Sequence, residues 1–159
     1  MNLPLKVGAL AAPVAVLAAG AALLVWSGGS ASAGAAQLKI NDAYVREPAN
    51  PDEAAAYFTI ANDGGTADTL TKVASSTGQA SLHETVGPKM VALASASVPA
   101  HGTLDFSPGG SHLMIDDPGP LTPGTKVRLT FTFAASAPIT VTVPVIGIAD
   151  PAPGQSSGQ

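Results

Sequence analysis

The chain of 159 residues contains no cysteine. Disulfide bonds, thiolate zinc sites, iron–sulfur clusters and cysteine nucleophiles are therefore excluded within it. A blue-copper electron-transfer site is excluded as well, because it requires a cysteine thiolate. No lipid can be attached to these residues through a thiol. The redox compartment stays open, because a chain without cysteine is compatible with any compartment.

Charged side chains are also scarce, at 11% of the residues against roughly a quarter in an average soluble protein. The formal net charge is −4 at pH 7, and no run of lysines or arginines occurs. Binding to a nucleic acid needs a basic patch that can neutralise phosphates. The charge pattern therefore argues against a nucleic-acid partner.

No charged residue occurs in residues 7–26, a run of 20 residues that follows Lys6. Small residues follow, and Ala31-Ser32-Ala33 has the pattern of a signal-peptidase site. The run is also just long enough to span a bilayer, and the lack of a polar face argues against a core helix. We predict that residues 1–33 are a signal peptide or a membrane anchor. The folded part is then extracytoplasmic: secreted, periplasmic or held at the outer face of the cytoplasmic membrane.

The remaining chain divides by composition into a linker, one domain and a tail. Residues 34–37 are predicted to be a linker, and residues 38–148 a single domain without internal repeats. Residues 149–159 are rich in proline, glycine, serine and glutamine, a composition that predicts a disordered tail.

The domain is predicted to be all-β. In KVRLTFTF (126–133) apolar and polar residues alternate strictly, which is the period of a half-buried strand, and ITVTV (139–143) repeats the pattern. Glycine- and proline-containing turns separate further short strands. Many short strands at this spacing favour a β-sandwich or a small barrel. The other predicted strands lie near 38–45, 55–61, 68–75, 79–86, 89–95, 103–106 and 112–116.

Histidine and methionine are rare in this chain, with three of each including the initiator. Nevertheless His112 and Met114 lie two residues apart, and His83 precedes Met90 by seven positions. Side chains alternate between the two faces of a strand. All four residues fall on the face opposite the best core candidates of their strands, which are Leu82, Val91, Leu93, Leu113, Val127, Leu129, Phe131 and Phe133. We therefore expect the four at the surface or rim of the domain.

A hairpin at Gly87-Pro88 would bring two of these residues together. If the loop has two residues, Val86 pairs with Lys89, and His83 and Met90 become diagonal neighbours with backbones roughly 7–8 Å apart. Proline is not a favoured residue in such a loop, so a looser turn is the alternative.

The donor set of two imidazoles and two thioethers narrows the chemistry. Thioether sulfur is a soft neutral donor that favours Cu(I), and imidazole binds copper in either oxidation state. Zinc and calcium sites ordinarily use thiolates or carboxylates, which this set lacks. The pattern predicts a copper site of His83, Met90, His112 and Met114, with Cu(I) as the ion and Cu(II) left open.

The same residues resemble the signature of the PCuAC-type copper chaperones, which work in the periplasm or outside the cell. That signature is a histidine, a methionine about ten residues later, twenty-one further residues and then His-x-Met. Twenty-one residues separate Met90 from His112-Leu113-Met114, and His83 corresponds to the first histidine, although only six residues separate it from Met90. Glu84 lies where many members have another methionine. The flanking segments also match, namely DAYVREP (42–48), AAAYFTIAND (54–63), ADTLTKV (67–73), FSPGGSHLM (106–114) and TFTF…VTVPV.

The resemblance implies a cupredoxin-like or immunoglobulin-like β-sandwich or small barrel with an exposed copper site. It implies a non-enzymatic, monomeric copper chaperone that serves the assembly of a cuproenzyme. The expected recipient is the binuclear copper centre of cytochrome c oxidase, and the expected partner is an oxidase subunit or a Sco-type chaperone. Membrane association through residues 7–26 is compatible with this role.

Three other functions stay open at this level. A metal-free structural sandwich of the cell envelope would show no copper-dependent stability. A hydrolase using Ser111, His112 and an aspartate is disfavoured, because adjacent residues of a strand point to opposite faces. Copper storage or detoxification uses the same ligands as delivery. His101, between a proline-containing stretch and a glycine, is predicted to be an exposed loop residue.

Overall fold

The computed structural model describes residues 34–154, and these form ten β-strands without a helix. The predicted signal or anchor (1–33) and the last five residues of the predicted tail lie outside the described residues. Within residues 34–154, no helix is long and apolar enough to cross a membrane. The strands are β1 (Leu38–Asn50), β2 (Glu53–Asn62), β3 (Asp68–Ser75), β4 (Gln79–Val86), β5 (Lys89–Ala92), β6 (Ala96–Val98), β7 (Gly102–Phe106), β8 (His112–Asp116), β9 (Lys126–Phe133) and β10 (Ile139–Ile146).

The predicted all-β class is confirmed, and the strands follow the order β5-β4-β8-β2-β1-β10-β9-β3-β6, with β7 also paired to β2. A parallel contact of β1 with β10, at Val45↔Val145 and Arg46↔Ile146, joins the two halves of this order. The halves face each other across the core, because Phe58 of β2 meets Phe131 of β9 edge-on with ring centroids 4.8 Å apart. Strands so far apart in the hydrogen-bonding order touch only when the sheet folds back on itself, as it does in a sandwich.

The core consists of the apolar face of each long strand. In β9, Val127, Leu129, Phe131 and Phe133 are buried, whereas Lys126 and Arg128 on the other face are exposed. Leu82 and Leu113 are also buried, as predicted. The prediction for Val91 is wrong, since 43% of that residue is exposed, and Leu93 packs only partly against the core. Val91 is exposed because β5 lies at the end of the strand order and has one neighbouring strand, and Leu93 follows directly after this strand.

Asp68, at the start of β3, links this strand to the turn between β9 and β10. Its buried carboxylate accepts hydrogen bonds from the backbone N–H groups of Thr69, Ala135 and Ser136, at 2.7, 3.0 and 2.9 Å. Burial raises the pKa of Asp68, but the hydrogen bonds from Ser136, Thr69 and Ala135 together lower it by more. The net pKa lies below the ordinary value of an aspartate, so the charged form is stabilised by the fold.

Both ends of the described chain contact the domain. The N–H of Gln37 donates to the side chain of Asn62 at the end of β2, and a side chain at Gly64 would collide with the backbone of Ala35. At the other end, the predicted tail begins with a turn in which Asp150 accepts a hydrogen bond from Gly147 N–H. The guanidinium of Arg46 donates to the carbonyl groups of Gly147 and Asp150. The boundaries of linker, domain and tail stay predictions.

Candidate metal site

Two histidines lie directly opposite each other on neighbouring strands. β4 and β8 pair antiparallel in the register Leu82↔Leu113 and His83↔His112, although about thirty residues separate them along the chain. Opposite residues of an antiparallel pair share a face. Because Leu82 and Leu113 enter the core, both imidazoles lie on the other face. Their ring centroids are 5.7 Å apart and their planes differ by 17°.

Met114 continues this face along β8. It pairs with Ser81 of β4 on one side and with Ala55 of β2 on the other. Met114 is therefore two residues from His112 and diagonal to His83 across one strand gap. The three residues His83, His112 and Met114 form one continuous patch, which we call the His–Met patch.

Met90 approaches the His–Met patch from the edge strand β5. The hairpin has the predicted register, with Val86 opposite Lys89, Thr85 opposite Met90 and His83 opposite Ala92. Gly87 has a φ of 59°, a left-handed conformation that glycine adopts readily and that tight hairpin turns require. Met90 and Met114 thus lie beyond His83 in opposite directions along β4, one opposite Thr85 and the other opposite Ser81.

The exposure of the four residues differs along the face. Met90 is 54% exposed, His83 and Met114 are half-buried, and His112 is only 8% exposed. The prediction that all four lie at the surface or rim is wrong for His112. His112 lies on the interior strand β8, between β4 and β2 in the strand order, and directly opposite His83. Met90 lies on the edge strand β5, which has one neighbouring strand.

Each imidazole has one hydrogen-bonded nitrogen and one buried nitrogen without a partner. Nε2 of His83 lies 2.9 Å from the hydroxyl of Ser81, and Nδ1 of His112 lies 3.4 Å from the carbonyl oxygen of Gly110. Nδ1 of His83 and Nε2 of His112 are the only buried side-chain nitrogen or oxygen atoms in residues 34–154 without a hydrogen-bond partner. Buried polar atoms are nearly always paired, so such an exception calls for a ligand or another explanation.

The face of the sheet that carries the His–Met patch offers uncharged metal ligands. Across the described part of the chain, no group of three histidine, aspartate or glutamate side chains is arranged to hold a metal ion. The patch therefore differs from a carboxylate-rich calcium or magnesium site, and its other donor is the sulfur of Met114.

Sequence reasoning missed two features near the patch. Ser81 shares a face with His83 by simple alternation, so its contact with the imidazole could have been predicted. A groove of about 280 Å³ adjoins Met114 and is lined by Arg46, Ala55 and Ile148, among others. Most of its lining comes from residues 46–55 around the β1–β2 turn, but Met114 and Ile148 are distant in sequence, so no local pattern indicates the complete groove.

His101 lies elsewhere, as the sequence predicted for a loop residue. It is exposed and precedes β7, whose Gly102 pairs with Asn62 at the far end of β2 from Ala55. These two residues are seven positions apart on the extended strand β2, which amounts to roughly 24 Å. His101 is therefore not part of the His–Met patch.

The chain is similar to a protein family, to a relative described as the same kind of protein and to several solved structures. The family model described as "Putative lipoprotein LpqE-like" matches residues 38–145. "Putative lipoprotein Lxx21020" of Leifsonia xyli subsp. xyli is 33% identical over 115 residues, which is 68% of this chain and 69% of the relative.

Two of the similar solved structures contain copper. "Copper-bound PCuAC domain from PmoF2" has a TM-score of 0.61 and 22% identity, over 72% of this chain and 97% of that one. "Solution structure of CuI-DR1885 from Deinococcus Radiodurans" has a TM-score of 0.51 and 24% identity, over 74% and 80% of the two chains. The predicted resemblance to PCuAC domains is confirmed in the fold.

Proposed function

The chain belongs to the LpqE-like family, and on this basis and the geometry of the His–Met patch we propose that it is a copper chaperone outside the cytoplasm. The observation that carries the proposal is the pair of buried imidazole nitrogens without partners, on rings whose centroids are 5.7 Å apart. A metal ion between or beside the rings would satisfy both nitrogens, since neutral imidazole binds metals through its lone pair.

Copper(I) fits the donors that surround these two nitrogens. The thioether of Met114 is soft and uncharged, and it adjoins both histidines on the same face. The absence of a clustered third histidine or carboxylate in the described region disfavours the harder divalent ions. Two copper-bound proteins among the structural neighbours support copper as the metal: a "Copper-bound PCuAC domain" and "CuI-DR1885", of which the second contains Cu(I).

Met90 is proposed as the fourth ligand, supplied by the edge strand β5. It is exposed on an edge strand with a single neighbour, and Val86 and Val91 beside it are exposed as well. A carrier must let the ligands of a recipient reach its ion, and a ligand on an accessible hairpin allows this exchange. The geometry thus supports transfer of copper better than permanent enclosure.

The proposed destination is a cuproenzyme under assembly, with the binuclear copper centre of cytochrome c oxidase as the recipient. The partner that we propose is a Sco-type chaperone or an oxidase subunit, as the resemblance to PCuAC proteins implies. In this role the protein is a monomeric carrier and not an enzyme, and copper is its cargo.

The family description as a lipoprotein supports a location at the outer side of the membrane. Because the 159 residues contain no cysteine, a thiol-linked lipid cannot hold them there. We propose that residues 7–26 direct export and, if uncleaved, anchor the domain.

The test is a titration of the purified protein with Cu(I) and with Cu(II), followed by X-ray absorption at the copper edge. We expect one Cu(I) per chain with both nitrogen and sulfur neighbours, and loss of this site in His112→Leu. A Cu(I) shell of nitrogen and oxygen alone would contradict the His–Met patch. Several tightly bound ions per chain would indicate storage, and no binding would leave a metal-free structural domain.

A further inference from the structure

The two histidines of the His–Met patch use different ring nitrogens for their hydrogen bonds. The bonded atom is Nε2 in His83 and Nδ1 in His112, so the two atoms without partners are Nδ1 of His83 and Nε2 of His112. We propose that Ser81 is a positioning residue that holds the His83 proton on Nε2, and that copper binds Nδ1 of His83 and Nε2 of His112. This inference rests on the proposed function and names the ligating atoms of the same site.

The assignment for His112 follows from the nature of its partner. A carbonyl oxygen can only accept a hydrogen bond, so the Gly110 oxygen selects the form of the ring with its proton on Nδ1. In the neutral ring the lone pair then lies on Nε2, which is the buried nitrogen without a partner. The contact of 3.4 Å is long, so the backbone constraint on this ring is weak.

The assignment for His83 depends on the direction of its hydrogen bond to Ser81. A hydroxyl can donate or accept, so the contact of 2.9 Å allows both directions. If the hydroxyl donates, the ring proton lies on Nδ1, where it is buried without an acceptor and blocks the metal. If the hydroxyl accepts, Nδ1 carries a lone pair that is ready for copper.

The strand geometry explains why Ser81 can have this role. Ser81 lies two residues before His83 and therefore on the same face, directly opposite Met114. Ser81 is thus a neighbour of both the thioether and the imidazole that it orients. Outer partners of this kind fix the tautomer and orientation of metal-binding histidines and typically change metal affinity by about 10–100-fold when removed.

The chain offers a matched control for Ser81. Thr85 lies two residues after His83 on the same face, opposite Met90, and its hydroxyl makes no hydrogen bond with the imidazole. Thr85→Ala removes a hydroxyl that is as far from His83 along the strand as that of Ser81, but it leaves the hydrogen bond between Ser81 and His83 in place. Ser81→Thr keeps the hydroxyl and tests whether the function of Ser81 is restored.

The experiment uses the full chain in detergent and reads the imidazole nitrogens by ¹⁵N NMR without copper at about pH 8, where neutral histidine predominates. We expect a protonated Nε2 on His83 in the wild-type protein, a mixture of tautomers in Ser81→Ala, and the wild-type signals in Ser81→Thr and Thr85→Ala. The Cu(I) affinity should fall by roughly tenfold in Ser81→Ala alone.

The outcomes separate this inference from the proposed function. A wild-type His83 with its proton on Nδ1 would overturn the inference, as would an unchanged tautomer and affinity in Ser81→Ala, even if the protein binds Cu(I). Failure of the wild-type protein to bind Cu(I) would overturn the proposed function and, with it, the role of Ser81.

Discussion

Replacing His112 with leucine should make the copper-free protein more stable while it removes the copper site. His112 is buried, and its Nε2 lacks a hydrogen-bond partner. A buried polar atom without a partner costs about 1–3 kcal/mol relative to a satisfied one. Leucine has a similar volume and no polar atom, so it removes this cost without a large cavity.

The stability that His112→Leu loses with the hydrogen bond of His112 is small, because that hydrogen bond is long. At 3.4 Å from the Gly110 oxygen it contributes at most about 0.5–1 kcal/mol. That oxygen also accepts the backbone N–H of Thr85 at 3.3 Å, so it is not left unpaired. We therefore expect a net gain of about 1–2 kcal/mol in the free energy of unfolding, or roughly 3–10 °C in Tm.

With copper bound, the wild-type protein should be more stable than His112→Leu. At a free Cu(I) concentration a hundred times the Kd, binding stabilises the wild-type protein by about 2.7 kcal/mol, whereas the variant gains nothing. Urea unfolding with a copper chelator and with buffered Cu(I) measures both orders. Leu113→Ala, on the same strand but in the core, is the control and should lose about 2–5 kcal/mol in both conditions. If His112→Leu is destabilised by more than about 1 kcal/mol without copper, the imidazole has partners in solution and the reasoning is refuted.

Three further predictions test the site and the fold. Met114→Leu should lower Cu(I) affinity by roughly tenfold or more, and Met90→Leu should lower it by less, because Met90 is exposed on the edge strand. Competition with a chromophoric Cu(I) chelator measures both affinities. A larger loss for Met90→Leu would contradict the His–Met patch as the centre of the copper site. Cu(I) affinity should fall between about pH 8 and pH 5, since protons compete for imidazole but not for thioethers; an affinity that does not change over this range would exclude histidine ligation. Asp68→Asn should lose about 1–3 kcal/mol at neutral pH, measured by urea unfolding. Because folding lowers the pKa of Asp68, its carboxylate stabilises the protein above the unfolded-state pKa, and this stabilisation disappears as the pH falls through the folded-state pKa. The stability difference between the wild-type protein and Asp68→Asn should therefore shrink in acid. A difference independent of pH would contradict the role of the Asp68 charge.

The sequence predicted which face each residue occupies better than how deeply it is buried. Alternation placed Leu82 and Leu113 in the core and the two histidines opposite them, and Gly87 marked the turn that sets the hairpin register. Burial depends on which strands are neighbours, and these neighbours are distant in sequence. Val91 has the right period but lies on an edge strand.

Three other features also escaped prediction from the sequence. The strand Ala96–Val98 was not predicted, because three residues are too few to show a period. The burial of His112 arises from the order β4-β8-β2, in which no two neighbours are consecutive in the chain. The orphaned nitrogens could not have been predicted either, since they depend on a cross-strand register and on the single hydroxyl of Ser81.

Residues 34–37 contact the domain at the Asn62 end of β2, whereas Met114 pairs near the opposite end of the same strand, at Ala55. Along an extended strand these two positions are roughly 24 Å apart. A molecule that takes copper from the His–Met patch therefore need not displace residues 34–37 to reach the ligands.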